Sequence, residues 1–350
     1  MAEFISFQPT DFFSPTIYTG NGVAYGSGGN AITGVGFQPD FTWIKCRTVG
    51  EEPVITDSVR GVTKIIRPND TYAESTATEG LNVFGSDGFT LGNSSQFNED
   101  TEDYVSWNWK MGTTSGLTGG TITPTAYSIS TTAGQSIIAY TGNVTSGATI
   151  PHGLGVTPQM IIIKNLTDVD SWVVYHESLG NTKFLELDTN GAVSTATNRF
   201  NDTSPTSAVF SVGDSGGVNG SGKYLIAYCF ATIQGYSKFG TYTGNGNADD
   251  GPFIYTGFRP AFLICKRTDG ANNWKGTDDK RQPNYNLNNK TFNLDTAGVE
   301  STEDNCDYLS NGFKLRRNGN DVNGSGYTYI YAAFSEFPIV SSNDVPTVAR

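Results

Sequence analysis

The chain has 350 residues, with 42 Gly, 17 Tyr, 21 Phe and only 16% charged side chains, and this composition favours short strands and many turns over a helical protein. Its formal net charge of −12 argues against a surface made for nucleic acid or for an anionic membrane, because either partner would require a basic patch. The length leaves room for two or three domains, each able to bury a core of its own.

The N-terminal segment MAEFISFQPTDFF contains no basic region followed by an apolar run, and no stretch of about 18 apolar residues occurs in the chain. We therefore expect neither a signal peptide nor membrane insertion. Four cysteines lie far apart without a C-x-x-C pair, which predicts buried free thiols in a chain folded in a reducing cytoplasm. They are Cys46, Cys229, Cys265 and Cys306.

Three motifs recur in the same order, which predicts three diverged copies of one unit of about 100 residues. The first motif is Tyr-Thr-Gly-Asn. The second has a Gly and a Pro ahead of an apolar run that ends in Lys, and the third has Asn in second place and ends on an aromatic residue. The motifs lie at 18–21, 36–45 and 97–109 in the first copy, at 140–143, 155–164 and 218–230 in the second, and at 242–245, 257–266 and 322–334 in the third.

The apolar run of the second motif is four residues long and rich in aromatic and β-branched types, so it predicts a buried core strand. A lysine closes each run. It could be a ligand-binding cation, but a charge at a strand end is more often solvated and protects against edge pairing, and that is our expectation here. These three residues, called the motif lysines below, are Lys45, Lys164 and Lys266.

The third motif predicts a turn that leads into a strand with apolar residues on both faces. In the second copy Ile226, Tyr228 and Phe230 share one face, while Leu225 and Cys229 lie on the other. Both faces are therefore expected to be covered, as in a central strand of a two-sheet sandwich.

The sequence thus predicts an all-β chain of three tandem β-sandwich repeats. The second and third repeats follow each other directly, so we expect them to pack as a rigid pair. The predicted segments are an N-terminal docking arm at 1–15, repeats at 16–112, 136–236 and 237–337, a Gly/Thr/Ser-rich linker at 113–135 and a C-terminal tail at 338–350.

Candidate catalytic groups are few. The two histidines, His152 and His176, lie outside any Gly-x-Ser-x-Gly elbow, and His176 is expected at the surface or half-buried. The acidic pairs 249–250 and 278–279 could serve a glycosidase or bind calcium, but pairs in Gly/Asn-rich loops usually solvate the loop. We assign no catalytic, cofactor-binding or metal-binding residue and expect a protein that is not an enzyme.

The copies diverge most between the second and third motifs, where binding loops are expected. Three aromatic residues there, Trp172, Tyr175 and Trp274, are candidate ligand contacts, because exposed rings can stack on sugars. The alternative is that they are ordinary core residues, of which a sandwich needs many.

The combination of motifs resembles a family of structural proteins of marine bacteriophages. Besides the repeated motifs, the resemblance rests on Phe7-x-Pro-x-Asp-Phe12, Asp57-Ser-Val-Arg-Gly61, the segment 87–92 and Trp107-Asn-Trp-Lys110, and it continues to Pro338. It implies a lectin-like β-sandwich of the jelly-roll, concanavalin or laminin-G type. It further implies a virion protein, assembled in the host cytoplasm, that serves as a tail-fibre or surface-fibre component in host attachment.

The same resemblance leaves two alternatives open, a capsid decoration or head-fibre protein and a carbohydrate-binding module. The expected partners are copies of the chain itself, with a homotrimer as one form, other virion proteins contacted through residues 1–15, and host-surface glycans. Nucleic acid is not expected as a partner.

Overall fold

The computed structural model describes residues 5–282, 286–336, 339–340 and 346–347. The chain is mostly β, with 41% strand and 6% helix in several antiparallel sheets, so the expected β class is confirmed. Among the described residues no helix is long and apolar enough to cross a membrane.

The first repeat forms two main sheets, ordered β1-β9-β3-β4 and β2-β8-β7, and a small β5-β6 ribbon. Its elements are β1 (Phe13–Thr19), β2 (Asn30–Thr33), β3 (Phe41–Cys46), β4 (Val54–Asp57), β5 (Lys64–Ile65), β6 (Ser75–Thr76), β7 (Leu81–Gly85), β8 (Gly88–Leu91), α1 (Ser95–Asn98) and β9 (Asp103–Trp109). Short 3-10 turns lie at Pro9–Asp11 and Tyr25–Ser27.

The second repeat forms a seven-stranded sheet, ordered β10-β11-β18-β13-β14-β15-β16, and a β12-β17 pair. Its elements are β10 (Ala126–Ser130), β11 (Gln135–Thr141), β12 (Ala148–Pro151), β13 (Met160–Asn165), β14 (Val173–His176), a 3-10 turn (Glu177–Leu179), β15 (Lys183–Glu186), β16 (Ser194–Thr195), α2 (Thr197–Phe200), β17 (Val209–Val212), α3 (Gly216–Asn219) and β18 (Tyr224–Phe230). Strand β10 lies inside the segment 113–135, so part of the predicted linker is an edge strand.

The third repeat forms one eight-stranded sheet, ordered β19-β26-β21-β22-β23-β24-β25-β20, which nearly closes into a barrel. Its elements are β19 (Ser237–Thr243), β20 (Phe253–Tyr255), β21 (Pro260–Arg267), β22 (Lys275–Asp278), β23 (Asn288–Asn293), β24 (Ser301–Leu309), β25 (Gly312–Leu315) and β26 (Thr328–Ser335). A further pair, β27 (Ile339–Val340) and β28 (Pro346–Thr347), follows it.

All three repeats contain the same four-stranded unit, with the strand of the third motif paired between the strands of the first and second motifs. We call β9, β18 and β26 the closing strands. Every residue from Leu225 to Phe230 of β18 is buried, which confirms the prediction that both faces of this strand are covered.

The closing strands were expected to lie in the centre of a two-sheet sandwich, but their two faces are covered by two different cores. One face of each closing strand packs in a core that belongs to its own repeat, as Leu225 and Cys229 do. The other face points into a single core shared by all three repeats, which we call the central core. The closing-strand residues in it are Val105, Trp107, Trp109, Ile226, Tyr228, Phe230, Ile330, Ala332 and Phe334.

The last aromatic residues of the closing strands meet in the central core. The ring centroids of Trp109 and Phe334 are 5.4 Å apart, those of Phe230 and Phe334 are 5.6 Å apart, and those of Trp109 and Phe230 are 6.3 Å apart. Aromatic pairs at such distances are stabilised beyond the burial of their area. The three repeats therefore surround one core, to which the first repeat contributes as well as the second and third.

Candidate functional site

The structure places the residues shared by the repeats at hydrogen bonds that hold each repeat together internally. The hydroxyl groups of Tyr18, Tyr140 and Tyr242 donate to the main-chain carbonyls of the first residues of the third motifs, over 2.7 to 2.8 Å. The glycine two positions later allows close approach, since a Cβ on Gly142 would lie 2.3 Å from the carbonyl oxygen of Gly220. The first and third motifs are therefore held together within each repeat.

The asparagine of the third motif completes this tie. Asn219 is fully buried, and its Oδ1 accepts from the main-chain N–H of Asn143 at 2.8 Å. Its Nδ2 donates to the carbonyls of Gly213 at 2.8 Å and Thr145 at 3.1 Å. Asn98 and Asn323 are bound in the same way in their own repeats. Every hydrogen-bonding group of this side chain is thus used inside the protein.

The motif lysines are buried, so the expectation of solvated strand ends is wrong. Each ammonium group donates to a main-chain carbonyl of another repeat, and the three acceptors occupy equivalent positions in their loops. The Nζ–O distances are 2.8 Å from Lys45 to Ala297, 2.8 Å from Lys164 to Thr71 and 3.2 Å from Lys266 to Asn190. Burial lowers the pKa of each lysine to about 8.

These contacts run in one direction, with the first repeat binding the third, the second binding the first and the third binding the second. Tyr228 and Trp107 follow the same direction. The hydroxyl of Tyr228 donates to Asp57 at 2.7 Å, and the indole N–H of Trp107 donates to Asp278 at 3.0 Å. The repeats therefore close a ring with three junctions.

Each of these two aspartates also forms a buried ion pair with the arginine three residues later. Arg60 Nε lies 2.5 Å from Asp57, and Arg281 Nε lies 2.6 Å from Asp278. In the second repeat the matching position is His176, whose Nδ1 accepts from the N–H of Ser178. Burial lowers the pKa of His176 to about 4, and the side chain is only 1% exposed, so the expected surface or half-buried position is corrected.

The three aromatic candidates for ligand contact are also buried, at 0% exposure for Trp172, 3% for Tyr175 and 1% for Trp274. The indole N–H of Trp172 donates to the carbonyl of Arg67 at 2.9 Å, and that of Trp274 donates to the carbonyl of Glu186 at 2.9 Å. The structure agrees with the alternative that these rings are core residues, because the two tryptophans fill the junctions between repeats and Tyr175 packs in the core of the second repeat.

The remaining polar candidates are scattered. Burial lowers the pKa of His152, whose Nε2 lies 3.0 Å from the carbonyl oxygen of Thr206. Burial raises the pKa of Asp279 to about 6, although Arg259 binds its carboxylate at 2.7 Å. Asp250 is exposed and pairs with the partly exposed Lys314 at 2.8 Å. Within the described residues no group of three or more His, Cys, Asp or Glu could hold a metal ion.

A family model, the domain of unknown function DUF7483, matches residues 8–338. The chain belongs to the DUF7483 family. No curated protein and no solved structure matches it. Since the match spans all three repeats, the DUF7483 unit is the whole ring rather than one repeat.

The described residues of the DUF7483 ring form a large and a smaller concave surface apart from the internal hydrogen bonds. The larger is a groove of about 1030 Å³ where the N-terminal segment meets the second and third repeats, lined by Ile5, Phe7, Ile233, Lys238 and Tyr255 among others. The described part of the predicted docking arm packs here on its own chain, with Phe7, Phe12 and Tyr236 in edge contacts at 5.0 to 6.5 Å.

The smaller surface is a cleft of about 220 Å³ at the junction of the first and second repeats. We call it the junction cleft. Its lining residues are Arg60, Glu74, Thr125, Ala139, Tyr140, Leu166, Thr167, Tyr224 and Leu225. Sequence reasoning did not find it, because its charged residues come from one repeat and its wall comes from the next.

Proposed function

We propose that this DUF7483 chain is a structural protein of a bacteriophage virion, a tail-fibre or surface-fibre component that contributes to host attachment. The observation that carries the proposal is the use of the shared motifs. Their tyrosines, asparagines and lysines bind main-chain groups inside the ring, so the repeated chemistry builds a rigid body. The resemblance to phage structural proteins supplies the setting.

We further propose that each repeat is a β-sandwich of the jelly-roll, concanavalin or laminin-G type. In the first repeat the sheets β1-β9-β3-β4 and β2-β8-β7 supply residues on either side of one core, including Ile44, Tyr104, Phe89 and Leu91. This arrangement supports a sandwich, because two sheets that pack face to face place their inner side chains in a common layer.

The partners we propose are further copies of the chain and other virion proteins that meet it near residues 1–15. The groove beside Ile5 and Phe7 supports this location, since it adjoins the same segment. Host-surface glycans are a third proposed partner. They would require a surface other than the faces of Trp172 and Trp274, because those faces are covered by protein.

The test is to purify particles of the phage that encodes the chain and label them with gold-conjugated antibody against the folded ring. Label confined to tail or surface fibres, with loss of host adsorption when the gene is disrupted, is the expected result. Label spread over the capsid shell would replace the fibre assignment with a decoration protein. A chain abundant in the lysate but absent from purified particles would overturn the virion proposal.

A further inference from the structure

The three junctions of the ring are equivalent in backbone but differ in side chains. At each junction, one main-chain N–H donates to the carbonyl of the residue two positions after a motif lysine. These hydrogen bonds run from Glu74 to Leu166 at 3.1 Å, from Val193 to Thr268 at 2.9 Å and from Glu300 to Arg47 at 2.9 Å. The paired residues therefore face each other in the same way three times, and their side chains can be compared directly.

Where the third repeat meets the first, the junction holds a bound guanidinium group. Nε of Arg47 lies 3.0 Å from Oε2 of Glu300, and Nη2 of the same arginine donates to Oε1 at 3.3 Å. Nη1 of Arg281 lies 3.0 Å from Oε2. Burial on its own would raise the pKa of Glu300, but the hydrogen bond from Arg47 and the charge of Arg281 hold it below its usual value.

Where the first repeat meets the second, the same carboxylate lacks that partner. Glu74 stands in the place of Glu300 and Arg60 in the place of Arg281, but Leu166 occupies the place of Arg47. The nearest cations to Glu74 are Nη1 of Arg60 at 3.5 Å and Nζ of Lys64 at 3.8 Å, and both distances are long for charge-assisted hydrogen bonds. Asp57 already holds Nε of Arg60.

Between the second and third repeats the corresponding residues are neutral. Val193 replaces the glutamate, Leu179 replaces the inner arginine and Thr268 replaces the outer one, and the first two pack against the central core. Of the three junctions, the one between the first and second repeats is therefore the one in which a glutamate faces a position with no cationic side chain.

The junction cleft lies over this glutamate and provides the space that a side chain in the place of Arg47 would take. Its volume of about 220 Å³ is several times the roughly 30 Å³ that a water molecule occupies in the liquid. Tyr224, which is 62% exposed, contributes an aromatic wall. The same chain shows a guanidinium on a tyrosine ring elsewhere, with Arg267 at 3.4 Å from the ring centroid of Tyr327.

We propose that the junction cleft binds the guanidinium group of an arginine side chain presented by a partner protein. Glu74 accepts two hydrogen bonds from it, as Glu300 does from Arg47, and Tyr224 covers its planar face. A guanidinium fits better than an ammonium group, because its planar donors match both carboxylate oxygens at once. The inference stands on the geometry of the junctions and does not depend on the virion proposal.

The test uses the full chain with labelled leucine methyl groups and follows the methyl resonances of Leu166 and Leu225, both of which line the cleft. The probe is Nα-acetyl-arginine methylamide, compared with the citrulline analogue, which keeps the shape but carries no charge. We expect saturable shifts with the arginine compound and a dissociation constant in the millimolar range. The citrulline compound should cause little change.

Three variants decide the assignment. Glu74→Gln should weaken binding by about ten-fold or more, as expected for loss of a hydrogen bond to a charged group. Leu166→Arg should abolish binding and raise the melting temperature, because it rebuilds the junction formed by Arg47 and Glu300. Glu177→Gln removes an exposed acid elsewhere and should leave binding unchanged.

Equal shifts with the arginine and citrulline compounds would overturn the proposal, as would unchanged binding by a Glu74→Gln variant. The same holds if no shift occurs up to the solubility limit of the arginine compound. Unchanged methyl spectra of the free Glu74→Gln variant would establish that a loss of binding is not a loss of fold.

Discussion

Replacement of Asn219 by alanine should destabilise the ring by about 3 kcal/mol or more. The side chain is fully buried and makes three hydrogen bonds, two as donor and one as acceptor. A buried hydrogen bond contributes about 1 kcal/mol net, and a partner left unsatisfied in the interior costs about 1 to 3 kcal/mol. The carbonyl of Gly213 is the partner expected to dominate, because its hydrogen bond from Nδ2 is buried.

The assay is equilibrium unfolding in urea. The free energies of unfolding are compared with the same dependence on urea concentration for both variants. Asn190→Ala is the matched control, because Asn190 is exposed and the equivalent position in the third repeat is already Ala297. The control should change stability by less than about 0.5 kcal/mol. If Asn219→Ala destabilises the chain no more than Asn190→Ala does, the argument that the third motif is a structural tie is refuted.

A second variant separates donor from acceptor roles. Asn219→Asp keeps Oδ1 as the acceptor from Asn143 but turns a carboxylate oxygen toward two carbonyls. Its pKa should rise in the folded state, so the folded chain binds a proton that the unfolded chain releases. The destabilisation should therefore be largest at neutral pH and shrink as the pH falls toward 4. A destabilisation that does not change with pH would contradict this account.

Three further predictions concern other buried titratable groups. Arg281→Leu should cost about 3 to 5 kcal/mol in urea unfolding, because it leaves the fully buried carboxylate of Asp278 without its cation; a loss below about 1 kcal/mol would contradict this. The motif lysines should resist acetylation at neutral pH in the folded chain, while the partly exposed Lys223 reacts. Peptide mass spectrometry measures the acetylated fraction of each lysine, and motif lysines acetylated as fast as Lys223 would contradict the prediction. Stability should fall as the pH drops from about 6.5 to about 4, because the unfolded chain protonates His176 in that range and the folded chain does not. The slope of the unfolding free energy against pH, measured from urea midpoints, should decrease in the His176→Asn variant. An unchanged slope would assign the pH dependence to other groups.

Much of the local structure could be predicted from the sequence. The third motif gave a turn, a strand and its alternating faces, because a strand repeats every two residues and buried faces are apolar. What covers those faces could not be predicted. The hydroxyl of Tyr228 meets a carboxylate 171 residues away in the preceding repeat, and no periodicity within one copy signals that contact.

The motif lysines show why the polar interior was missed. A lysine that ends an apolar strand usually lies in water, and the groups that bind these lysines are main-chain carbonyls. A carbonyl belongs to every residue, so it leaves no trace in the sequence. For a similar reason the sequence could not decide between exposure and burial of Trp172 and Trp274, since their indole N–H groups also bind carbonyls of the neighbouring repeat.

The ring changes where a unique site is expected in a repeated protein. Each junction is built from two different copies, so a substitution in one copy alters one junction and leaves the other two intact. When the copies diverge, one residue of a junction pair can therefore be retained after its partner in the neighbouring copy has been replaced. The three pairs are Arg47 with Glu300, Thr268 with Val193, and Leu166 with Glu74. The first pair is ionic and the second is neutral, while the third sets an apolar side chain opposite a carboxylate beside an open cleft. Glu74 and Leu166 both lie between the second and third motifs of their own copies, where recognition was expected, but only the folded ring brings them together at one junction.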